Sequence, residues 1–147
     1  MRRMGLRRNY QYSCSHVLFG PSCKASKLAA RETATVASIS GASITLNPGW
    51  TSHPHERFSA GMIEWTNSKG DLETRSIMSV SGDTLMIGGM LRDVYVGMTV
   101  YPYRGCARTL NGCAEHSNAT EASNIHNFGG CPFIPTQNPV GRTSVFY

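Results

Sequence analysis

The sequence predicts an all-β fold, a small antiparallel barrel-like domain with irregular, cysteine-bearing N- and C-terminal segments. Three observations predict it. Between residues 33 and 104 short apolar or alternating runs are separated by turn residues. The flanks on either side lack regular periodicity, and every cysteine of the chain lies in those flanks.

The expected strands are Thr33–Ile39, Ser43–Leu46, Gly61–Thr66, Glu73–Val80, Thr84–Ile87 and Thr99–Tyr103. Ser40-Gly41, Lys69-Gly70-Asp71 and Gly82-Asp83 supply the positive-φ positions and side-chain hydrogen bonds of tight hairpin turns. The expected core is Val36, Ile39, Ile44, Leu46, Ile63, Trp65, Ile77, Val80, Leu85, Ile87 and Val100. In Gly61–Thr66 the alternation sets Met62 and Glu64 on the face opposite Ile63 and Trp65, a half-buried strand. Met90 to Met98 reads as a connection. Beyond residue 104 the chain is rich in Gly, Asn and Pro; a short helix within Ala114–Ala122 is weakened by Asn118 and Thr120. The stretch Asn127–Pro135 reads as an ordered loop packed through Phe128, Phe133 and Ile134, since its glycines and prolines break helix and strand alike.

At 147 residues the chain suits one domain with a real core. The net charge of +5 is concentrated early: Arg2, Arg3, Arg7, Arg8, Lys24, Lys27 and Arg31 precede the first acid, Glu32, and make up half of the basic residues. This reads as a solvated or subunit-contacting arm, with nucleic-acid contact the alternative. No run is long and apolar enough to cross a bilayer, and Asn9-Tyr10-Gln11-Tyr12 stands where a signal peptide needs apolar residues. The expected compartment is therefore a reducing cytoplasm, where five cysteines are better read as metal ligands or inert thiols than as disulfides.

Cys14 and Cys23 are nine positions apart and Cys106 and Cys113 seven apart. Nine extended residues span roughly 30 Å, so shared ligation requires a reversal within each pair. Gly20-Pro21 and Asn111-Gly112 offer those reversals. A barrel with its first and last strands side by side would bring the two pairs together. Four thiolates suit an iron–sulfur cluster or structural zinc. Zinc knuckles favour tighter pairs, which tilts the spacing toward a cluster while leaving zinc or unrelated buried thiols open.

The strings Cys14-Ser15-His16-Val17-Leu18-Phe19-Gly20-Pro21-Ser22-Cys23, Tyr101-Pro102-Tyr103-Arg104-Gly105-Cys106-Ala107-Arg108-Thr109-Leu110-Asn111-Gly112-Cys113 and Asn127-Phe128-Gly129-Gly130-Cys131-Pro132-Phe133-Ile134-Pro135 together resemble one family. It is the C-terminal domain of phage tail-tip or baseplate hub proteins, of the lambda tail tip protein L and gene transfer agent hub type, and the likeness runs from about Tyr12 to Pro139. The resemblance implies a [4Fe–4S] cluster held by Cys14, Cys23, Cys106 and Cys113, a structural role without enzyme activity, a homo-oligomeric ring, trimeric in the family, and other phage tail proteins as partners in the virion. On this reading residues 1–11 are a basic arm, 12–140 the iron–sulfur-binding hub domain with its β-rich insert at about 33–104, and 141–147 a C-terminal tail. Relatives carry a larger ring-forming N-terminal domain, so the expectation here is a minimal hub component. Cys131 stands where many relatives have an aromatic and is expected to be a bystander. Arg104 and Arg108, with the N–H groups of Gly105 and Gly112, are expected to offset the cluster's negative charge.

Three further patterns compete. His53-Pro54-His55-Glu56 carries zinc-ligand types but cannot form the helix-face pair of a metalloprotease. Cys113-Ala114-Glu115-His116 offers a thiol, an acid and an imidazole, yet the partners of a cysteine nucleophile normally converge from distant segments. Trp50, Trp65, Tyr95, Tyr101 and Tyr103 beside a basic arm allow a second function, a metal-stabilised nucleic-acid-binding module. Aromatics in strands are more often core or subunit contacts, so specific nucleic-acid binding is not expected.

Overall fold

A computed structural model describes residues 11–134. The basic arm at 1–11, but for Gln11, the final residues of the expected hub domain and the tail at 141–147 lie outside the described residues.

Among the described residues six strands form: β1 (Ala34–Ser40), β2 (Ser43–Leu46), β3 (Met62–Thr66), β4 (Leu72–Ser81), β5 (Thr84–Ile87) and β6 (Thr99–Tyr103). They close into an antiparallel barrel in the order β1-β2-β5-β4-β3-β6. Each expected strand is present within one or two residues of its expected ends. The hairpin glycines do what their turns require, since Gly41, Gly70 and Gly82 all have positive φ, which costs an L side chain but not glycine. Register shifts between Val36 and Ser38 in β1 and between Ile77 and Ser79 in β4 bend those strands. Such bends help a sheet this small to curl into closure.

The barrel interior holds Val36, Ile44, Leu46, Ile63, Trp65, Ile77, Leu85, Ile87 and Val100, as expected, and adds Ala34, Trp50, Phe58 and Met98. Ile39 and Val80 pack against this core only in part, because they sit near the strand ends. Trp50 and Phe58 come from the β2–β3 connection and stopper the barrel, their rings 4.6 Å apart edge to face. The Trp50 indole donates to Asp83 Oδ1 at 3.0 Å and the Trp65 indole to the Arg92 carbonyl at 3.1 Å, so neither burial strands a polar atom.

The outer face of β3 departs from expectation. Glu64 is 4% exposed, because the segment before β1 lies across it. Its carboxylate accepts from Lys27 Nζ, Thr74 Oγ1 and the Tyr103 hydroxyl, and Lys27 also lies 5.0 Å from the centre of the Tyr103 ring. Burial acts to raise the Glu64 pKa, but the hydrogen bonds and charge of Lys27, with Tyr103 and Thr74, hold it below its ordinary value. Tyr103 is pushed up to about 12 by burial and by the carboxylate it donates to.

After β6 a short helix, α1, covers Leu110–Ala114, earlier than the expected helix within Ala114–Ala122. The Thr109 hydroxyl caps it by accepting from Gly112 N–H, whereas Asn118 turns the following chain by accepting from the N–H groups of Thr120 and Glu121. Phe133, expected to pack, is instead 89% exposed.

Candidate metal centre

β1 and β6 pair side by side, with Ala34 opposite Val100 and Thr35 opposite Thr99. The chain entering β1 and the chain leaving β6 therefore run together. Arg104 N–H donates to the Ala30 carbonyl, Ser26 N–H to the Ser117 carbonyl and Cys14 N–H to the Arg108 carbonyl at 2.8 Å. These bonds bring both cysteine pairs to one end of the barrel.

Within the first pair the chain reverses over Val17–Lys24. Gly20 N–H donates to the Val17 carbonyl and Lys24 N–H to the Gly20 carbonyl, while Phe19 and Lys24 take positive φ. In the second pair the reversal is not the turn expected at Asn111-Gly112. Those residues are helical, and the chain bends before them at Arg108, φ 58°, then winds through α1 to present Cys113. Cys106 is placed by a close backbone crossing. A Cβ on Gly105 would strike the Ser59 carbonyl, and one on Gly61 the Tyr103 carbonyl, so only glycine lets β6 pass the β2–β3 connection here.

Cys14, Cys23, Cys106 and Cys113 line one cavity of about 80 Å³, with His16, Leu18, Ala60 and Arg108 completing its wall. A single water needs only about 10–15 Å³, so the space accommodates a group of several atoms. Cys131 is not part of this wall; its N–H donates to the Gln11 carbonyl. Among the described residues no three His, Cys, Asp or Glu side chains close around a point that would hold one metal ion. The four cysteines line the cavity without closing on one point.

Each sulfur meets an N–H. Gly129 N–H donates to Cys14 Sγ at 3.3 Å and Arg108 N–H to Cys106 Sγ at 3.4 Å, while Asn124 Nδ2 lies 3.8 Å from both Cys23 Sγ and Cys113 Sγ. The Cys113 thiol itself donates to the Asn124 carbonyl at 3.2 Å. The donors differ in part from those expected. Gly105 N–H is spent on the Arg57 carbonyl and Gly112 N–H on Thr109, and the Arg104 guanidinium donates to Ala29. Arg108 alone of the expected four faces the sulfurs.

Burial raises the Cys106 pKa, opposed by the Arg108 N–H and reinforced by the nearby Cys23 and Cys14. Burial, with the charges of Cys106, Cys23 and Cys14, pushes Cys113 up to about 11, while Asn124 acts to lower it. Cys106 and Cys113 thus resist ionising as free thiols, and a metal group bound there would take the place of their protons. The donor set fits an iron–sulfur group: four convergent thiols, a multi-atom cavity and N–H groups aimed at the sulfurs.

The competing patterns do not assemble. His53 lies 3.8 Å from Glu32 and His55 3.8 Å from Asp83, so the two imidazoles serve different carboxylates. Glu115 pairs with Arg57 at 2.9 Å, and His116 is buried with Nε2 2.9 Å from the Gly105 carbonyl, leaving no acid or base on Cys113. Burial, against the pull of that carbonyl, lowers the His116 pKa. Trp50, Trp65 and Tyr103 are buried, which removes them from any stacking surface.

Sequence reasoning missed Asn124, whose burial nothing in the polar run around it signals. Gly129 carried no signal in the sequence beyond its place in Asn127-Phe128-Gly129-Gly130. A Cβ there would fall 2.6 Å from the His16 ring, a close approach that explains the glycine.

The family model described as phage conserved hypothetical protein BR0599 matches residues 56–138. A chain of a solved structure described as the virion of a native gene transfer agent (GTA) particle is similar with a TM-score of 0.63 and 18% identity, covering 91% of this chain and 48% of that one. This chain thus spans about half the length of that relative and shares its fold. No curated protein matches.

Proposed function

The chain belongs to the phage family of conserved hypothetical protein BR0599, and on that premise we propose that it is a structural component of a phage tail tip or baseplate hub, its cysteine-bearing segments joined by a [4Fe–4S] cluster. The observation that carries this reading is the convergence of Cys14, Cys23, Cys106 and Cys113 on one cavity at one end of the barrel, in a chain whose fold is similar to that of part of a gene transfer agent particle.

Cys14 and Cys23 would hold the group from the segment before β1, and Cys106 and Cys113 from the segment after β6. When bound, the cluster supplies iron–thiolate bonds that cross-link these two segments. The chain's own contribution is to gather the thiols, to supply N–H groups to their sulfurs and to limit water around them. The cross-link closes a loop of more than eighty residues between Cys23 and Cys106, a closure with an entropic cost that a barrel already formed has largely met. Residues 12–140 act as the hub domain, and the assembly is a ring of copies in contact with other tail proteins, the usual closed form for identical subunits.

The test is location. Antibody labelling of purified phage particles, with mass spectrometry of the same preparation, should find the chain at the distal end of the tail. Its absence from purified particles overturns the structural role.

A further inference from the structure

Asn124 is 0% exposed and lies where the two cysteine-bearing segments meet. A fully buried amide is costly unless its hydrogen bonds are met, so its partners disclose why a polar residue stands there. Its N–H donates to the His116 carbonyl at 2.7 Å, and its Oδ1 accepts from Asn127 Nδ2 at 2.9 Å. Its Nδ2 donates to the Cys23 carbonyl at 2.7 Å. These contacts fix which way the amide faces: the Cys23 carbonyl can only accept, and Asn127 Nδ2 can only donate.

One Nδ2 hydrogen is thus committed to Cys23, and the same nitrogen lies 3.8 Å from the sulfurs of both Cys23 and Cys113. Cys14 and Cys106 receive backbone N–H groups, from Gly129 and Arg108. Cys23 and Cys113 are the two sulfurs for which the side chain of Asn124 takes that part. These two cysteines belong to opposite segments, so one amide spans the junction.

We infer that Asn124 is a positioning residue of the thiol site, holding Cys23 and Cys113 in register and setting the reduction potential of an iron–sulfur group bound there by sharing its second amide N–H between their sulfurs. The inference rests on the cluster reading above. Iron–sulfur centres share their negative charge with the ligand sulfurs, and an N–H directed at sulfur stabilises the more negative, reduced state. In a largely buried site the effect is screened less than in bulk water.

The test compares the full chain with Asn124→Ala, Asn124→Ser and Asn127→Ala, all prepared anaerobically, with iron content measured and the midpoint potential followed by electron paramagnetic resonance. Asn124→Ala and Asn124→Ser should keep iron and shift the midpoint to more negative values. Asn127→Ala, which touches only the Oδ1 side of Asn124, should stay close to the wild type. Loaded Asn124 variants with an unchanged midpoint overturn the assignment. So does loss of the folded apo chain in both, judged by circular dichroism, because Asn124 would then be a strut of the fold itself. A wild-type chain that takes no iron contradicts the cluster reading instead, which separates the two failures.

Discussion

The barrel and the cysteine-bearing end are held by different forces. In the barrel every strand has two hydrogen-bonded neighbours, and a continuous apolar cluster from Ala34 to Val100 fills the interior. Among the described residues of the cysteine-bearing segments the regular structure amounts to one short helix and two three-residue turns, and the buried groups are chiefly three thiols, Asn124 and His116. The segments there are stitched by single backbone bonds, such as Cys14 to Arg108 and Ser26 to Ser117. Apolar burial can stabilise the first region unaided. The second buries fewer apolar side chains, and on the proposed reading a cluster on its sulfurs would supply the missing cross-link.

The largest break in this comparison should come from the barrel. Trp65→Ala removes a fully buried ring and its bond to Arg92, and a change of this kind costs about 3–5 kcal/mol. The loss, read by denaturant unfolding, should be similar with and without iron. A loss confined to iron-loaded protein would mean that the barrel is not independent.

Gly105→Ala probes the seam between the regions. Its Cβ would meet the Ser59 carbonyl, which is backbone and cannot swing aside. Overpacking of this sort costs about 1–3 kcal/mol. Because Cys106 is the next residue, iron content should fall together with thermal stability. Unchanged iron would show that the crossing does not place Cys106.

A smaller effect is expected from acid. The folded-state pKa of Glu64 lies below its ordinary value of 4.5, so the carboxylate contributes stability above that value and loses it as pH falls through the folded pKa. Glu64→Gln should flatten stability against pH in that acid window while lowering it near neutrality by about 1 kcal/mol, the worth of a typical hydrogen bond. Equal acid sensitivity in wild type and variant would remove Glu64 from the account.

The sequence was most legible where structure follows local rules. Alternation and glycine turns placed the six strands, and their number and short links suggested a barrel, which the pairing of β1 with β6 closes. Glu64 was misread because alternation describes one strand and cannot see Lys27 arriving over its outer face. The helix was misplaced because the Thr109 cap outweighs the glycine within α1, and Phe133 because an aromatic in a loop carries no sign of what it meets. Four cysteines of the candidate site were legible from their type and spacing. Asn124 was not, since burial of a polar residue depends on contacts between segments a hundred residues apart in sequence.

The central claim is that four particular thiols hold one iron–sulfur cluster, and iron and acid-labile sulfide in anaerobically purified protein test it most directly. The wild-type chain should be coloured and contain iron with matching sulfide. Serine replacement of Cys14, Cys23, Cys106 or Cys113 should abolish or strongly reduce both and lower thermal stability, whereas Cys131→Ser should keep them. A colourless wild type containing zinc, or a Cys131→Ser variant that loses iron while Cys14→Ser or Cys113→Ser retains it, would contradict the account.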